Sequence, residues 1–164
     1  MIKLRLTILW LVALFVLGFV NYGILDKETL IASGDTVLLE LAPVDPRSLI
    51  QGDYMRLQYK ITEDWSLETL PGRGTLVATK DNNQVASFVR FYAKGKPLAE
   101  EEFLLNYHKE GSWARVGAGS FFFQEGEAET YQVARYAEIR VEASGTTVLV
   151  GLRDEAFNLL GEAD

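Results

Sequence analysis

The residues of this chain that could do chemistry gather in one stretch, PVDPRSLIQGDYMRLQY, Pro43 to Tyr59. Asp45, Arg47, Asp53 and Tyr54 combine carboxylates, a fork-shaped guanidinium donor and a phenol. Such a set suits a surface that grips the polar groups of a partner. Ser48, with Lys60 or Lys80 as its base, is the one candidate nucleophile. That chemistry needs a lysine whose proton affinity is lowered by burial. Nothing in the sequence buries either lysine selectively, so no catalytic residue is assigned. The chain has no cysteine and a single histidine, His108, in the polar run NYHKEGSW. Thiolate zinc sites, thiol nucleophiles and disulfides are excluded, and neither a histidine metal cluster nor a Ser-His-Asp triad is expected. Glu125, Glu127 and Glu129 crowd the stretch EGEAE. A calcium ion takes roughly six or more oxygens around one point, and this spacing does not specify them. Glu127 and Glu129 read instead as the opening of a short helix, where carboxylates suit the dipole. No carboxylate pair stands out for glycoside hydrolysis. Neither a metal nor a cofactor is expected.

The same residues have a purely structural reading. Gly52 lets the backbone take positive φ, and Asp53 can bond back to nearby amides and fix a turn. Tyr54 then opens a strand. Along YMRLQYKI, Met55, Leu57, Tyr59 and Ile61 share one face, and Tyr54, Arg56, Gln58 and Lys60 share the other.

Around this stretch the chain divides in two. Lys3 and Arg5 precede an apolar run from Leu6 to Leu25. Twenty helical residues span about 30 Å, the thickness of a bilayer's hydrocarbon core. Trp10 and Tyr22 stand toward its two ends. The run is long for a secretory signal and shows no small-x-small cleavage site before Asp26, so an uncleaved anchor over 1–25 is expected. Lys3 and Arg5 hold that end in the cytoplasm. Residues 26–164 then form an extracytoplasmic domain. Its 14 basic against 23 acidic residues give about −9, which disfavours nucleic acid and anionic lipid alike.

That domain reads as strands. TVLLELA (36–42) is a β-rich run, and Pro43 and Pro46 make 43–51 a connection. TLVATK and VASFVRFY flank the polar turn DNNQ; EEFLLNYHKEGSWARVG turns at Glu110-Gly111; EIRVEASGTTVLVGLRD turns at Ser144-Gly145. EAETYQVARYA has helical spacing, and the tail EAFNLLGEAD is expected to hold one helical turn. Phe88, Phe91, Tyr92 and Phe121 to Phe123 are expected to fill the core, although Phe122 must face away from its neighbours. The fold class is mainly β, an antiparallel sandwich or partial barrel with one short helix, carried on a single N-terminal transmembrane helix.

GDYMRLQY, Gly52 to Tyr59, resembles the signature of the bacterial GDYXXLXY family. Gly52, Asp53, Tyr54, Leu57 and Tyr59 fill every specified position. The preceding PVDPRSLIQ, the single span and FFFQEGEAETYQVARYAEIRV (121–141) are similar to that family as well. The resemblance implies a tethered, envelope-exposed domain of uncharacterised role. The family's association with polytopic membrane proteins implies an accessory subunit in the bacterial inner membrane with its bulk in the periplasm. Signal peptidases also resemble the chain, in a proline-containing loop followed by Gly-Asp and a strand. Their nucleophilic serine precedes that pair in an S-x-M-x-P segment. Here the corresponding LAPVDP has no hydroxyl, and Ser48 lies beyond the prolines.

Overall fold

The computed structural model describes residues 2–42, 54–63, 65, 70–111 and 113–161. The chain opens with α1, Ile2–Ser33. It is apolar all round, with no inward stripe, because Leu6 to Leu25 carries almost nothing polar. Thr7 and Asn21 satisfy their side chains on carbonyls one turn back, at 3.0 and 2.8 Å. The helix is long and apolar enough to cross a membrane, and its apolar window is buried against nothing else in the chain.

Among the described residues, nine strands and one short helix follow. They are β1 (Asp35–Glu40), β2 (Tyr54–Arg56), β3 (Arg73–Lys80), β4 (Ala86–Phe91), β5 (Glu102–Glu110), β6 (Trp113–Val116), β7 (Ser120–Phe122), α2 (Ala128–Tyr131), β8 (Tyr136–Val141) and β9 (Thr147–Arg153). A 3-10 turn sits at Lys60–Thr62. The ladders between these described strands are antiparallel and form three sheets ordered β1-β8-β9, β2-β7 and β4-β3-β5-β6. The expected β-rich fold with a short helix and one apolar span is what the chain adopts, curved into a half-barrel.

Hydrogen bonds between sheets hold the curve. Leu38 N donates to Gln84 O at 2.8 Å, joining β1 to the start of β4. Ala42 N donates to Gln58 O at 2.9 Å, tying the chain after β1 to the chain after β2, and Leu57 N donates to Gly119 O at 3.0 Å, extending the β2–β7 ladder by one pair. Alternation decides what points inward. Val37 and Leu39, Leu76 and Ala78, Leu105 and Tyr107, and Ala137 and Ile139 meet in one core, each pair two residues apart on its strand. The three predicted hairpins form at the predicted turns. At Gly145 the backbone takes a φ of +83°, which favours a residue without a Cβ.

Some expectations fail. The described part of the tail forms no helical turn: Leu159 bridges Arg153 and Leu160 N donates to Leu152 O at 2.8 Å. A β-type pairing wins there because it covers backbone groups at the end of β9 that a helix would leave open. Phe91, Phe121 and Phe123 do pack on the core, but Phe88, Tyr92 and Phe122 are exposed. For Phe122 the cause is the pleat, which turns it away from the two phenylalanines that flank it.

Candidate functional site

Asp45, Arg47, Ser48, Gly52 and Asp53 lie outside the described residues. The second half of the signature is described, and it divides by face. Met55, Leu57 and Tyr59 are buried, whereas Arg56, Gln58 and Lys60 are exposed. Tyr54 is half-buried, and its ring meets that of Phe122 with centroids 5.6 Å apart. The two residues are register partners on β2 and β7. Tyr59 is buried to its hydroxyl, which donates to Ala118 O at 2.6 Å. Burial pushes its phenol well above the ordinary tyrosine range, with the nearby Arg115 charge opposing.

Lys60 is unsuited to act as a lowered-pKa base. Its ammonium bonds Glu40 Oε1 at 2.9 Å, and that bond with the glutamate's charge raises its pKa. A serine nucleophile needs the opposite shift in its lysine. Lys80 ends β3 and is half-buried. In the acidic stretch, Glu127 folds back to accept from Gln124 N at 3.1 Å, closing the turn before α2. No group of three or more acidic or imidazole side chains is arranged to hold a metal among the described residues. Tyr131 of α2 packs against Phe121 and Phe123 at 4.9 and 5.2 Å. The helix therefore covers one face of β7 and leaves Phe122, 74% exposed, on the other.

A groove of about 610 Å³ lies between β9 and the β5–β6–β7 side of the half-barrel. Arg73, Asn106, His108 and Arg115 line it from the four-stranded sheet, Ser120 to Phe122 from β7, and Thr146 to Leu149 from β9. Arg73 and His108 are register partners on β3 and β5. Arg73 Nε donates to His108 Nδ1 at 3.3 Å, which leaves the ring's Nε2 as its donor. Arg115 pairs with Glu110 at 2.8 Å. The described residues lining the groove include no carboxylate.

Sequence reasoning did not find this groove. The alternation of EFLLNYHKE does put Asn106 and His108 on one face. Only the β3–β5 register, set by long-range pairing, brings Arg73 to His108 across 35 positions of chain.

These features define a class: a β-rich half-barrel joined to an apolar helix of membrane-spanning length. The sequence profile of the GDYXXLXY protein family matches residues 16–152, and the chain belongs to that family. No curated protein and no solved structure matches it.

Proposed function

We propose that this chain is a non-enzymatic accessory subunit of the bacterial inner membrane. Residues 1–25 thread the bilayer with Lys3 and Arg5 in the cytoplasm, and residues 26–164 stand in the periplasm and dock on a polytopic membrane protein. The observation that carries this reading is α1. Its side chains from Leu6 to Leu25 are almost all exposed, among them Trp10, Phe15, Phe19 and Tyr22, and only lipid or another membrane helix can cover such a surface. Above it, Phe122 offers an aromatic anchor of the kind that dominates protein contacts. Asp45, Arg47, Asp53 and Tyr54 are the residues assigned to the polar part of the partner surface.

Gentle detergent extraction of the full chain followed by affinity purification tests the docking. A defined stoichiometric complex with one multi-span protein is expected. A chain that always runs alone as a monomer would sink the reading. The topology is tested separately with a reporter fused after Asp164, active only outside the cytoplasm.

A further inference from the structure

Among the described residues the half-barrel does not close. Its seam lies along the outer edge of β9, and the hairpin geometry identifies which backbone groups face it. Glu142 N donates to Thr146 O at 2.9 Å and Gly145 N to Glu142 O at 2.8 Å, which makes Glu142 and Thr146 a hydrogen-bonded pair. Antiparallel pairs alternate, so Val141 with Thr147 and Ile139 with Leu149 are non-bonded pairs. The N–H and C=O groups of Thr147 and Leu149 therefore point away from β8. Both residues line the groove.

Among the described residues no strand pairs with this stretch of edge. The C-terminal segment covers only its far end, at Leu152 and Arg153. Folded proteins blunt an open edge with lysine, proline or a short strand. From Thr147 to Val150 the edge reads TVLV, with no charge and no proline.

The opposite wall is cationic on a chain whose net charge is −7. Glu110 partly neutralises Arg115. Arg73 has no carboxylate partner among the described residues, and its guanidinium stays exposed beside His108. The seam also starts next to the membrane helix: the turn at Glu142–Ala143 shares a cavity of about 320 Å³ with Asp26, Leu30 and Ser33 of α1.

We infer that the seam receives an extended acidic segment of the membrane partner, added as a strand along β9 with its carboxylates toward Arg73 and Arg115. Main-chain bonds to Thr147 and Leu149 supply affinity, and the guanidinium wall selects acidic over basic sequences. This inference rests on the docking reading above and names the chemistry of the partner's contact.

The test uses the full chain in detergent micelles with two short blocked peptides, one alternating valine with glutamate and the other valine with lysine. Backbone amide exchange is read residue by residue. The glutamate peptide should slow exchange at Thr147 and Leu149 by about tenfold. The lysine peptide should leave both amides unchanged, and Arg73→Glu should reverse the preference. Equal effects from the two peptides, no slowing at millimolar peptide, or protection only away from β9 would overturn the inference. Failure of any multi-span protein to copurify would remove the docking reading instead, leaving the peptide result to stand by itself.

Discussion

The Tyr59 hydroxyl donates to the carbonyl of Ala118 at 2.6 Å, pinning the end of the signature to the turn between β6 and β7. Tyr59→Phe removes that bond and keeps the ring, so a loss of about 1 kcal/mol is expected. Tyr59→Ala also opens a cavity among Leu57, Val116 and Ile139, raising the cost to about 3–5 kcal/mol. Urea unfolding with an unchanged slope checks both.

The same phenol sets an alkaline limit. Its pKa is raised in the folded chain, so the unfolded chain gives up the proton first as pH rises. Stability is fully present below the ordinary tyrosine pKa of about 10 and declines above it. Tyr59→Phe should flatten that decline in unfolding curves taken across the alkaline range.

Glu138 is a buried carboxylate, held by Arg153 Nε at 2.6 Å. Arg153 also donates to Phe157 O at 2.6 Å, tying the C-terminal segment to β9. Arg153→Ala leaves the carboxylate buried without its main partner. Because Arg153 itself reaches water, the expected loss is about 2 kcal/mol, less than for a fully enclosed pair. Glu138→Gln should cost less, and the thermal midpoint of each variant orders the two.

Glu102 and Asp154 set the acid side. The Ala99 amide and the Arg90 guanidinium lower the Glu102 pKa, and Asn158 lowers that of Asp154. Each contribution is present above the ordinary carboxylate range and is lost as pH falls through the lowered value. Glu102→Gln combined with Asp154→Asn should lower the neutral plateau of the stability profile and make its acid limb shallower.

Phe122 and Phe121 are neighbours with opposite fates. Phe122→Ala should change stability by no more than about 0.5 kcal/mol, since the ring is mostly in water. Phe121→Ala breaks the packing on Tyr131 and should cost about 3 kcal/mol. If Phe122 anchors a partner, its truncation should weaken the purified complex while the unfolding curve stays put.

Much of the fold was legible because it is written in short-range pattern. The faces of Met55 to Lys60, the turn at Gly145 and the apolar span of α1 all follow from spacing and residue type. The tail was misread because it folds straight back on the end of β9 just upstream, a reversal that its residue types do not announce. The Arg73–His108 contact was hidden for a related reason, since strand register is a property of two segments at once. The polar cluster at Asp45, Arg47 and Asp53 drew attention by composition, whereas the groove draws it only by geometry.

A single residue, Gly34, separates α1 from β1. Its amide caps Leu30 O at 2.8 Å, and Leu30 is buried against the β domain. Any side chain at Gly34 would strike that carbonyl and crowd Arg140, 3.1 Å away. The mast and the body it carries are thus fused without slack. Spanning helices lean over when the surrounding lipid thins, and here the lean has nowhere to dissipate. If α1 spans a bilayer, the β domain turns with it as the lipid thickness changes.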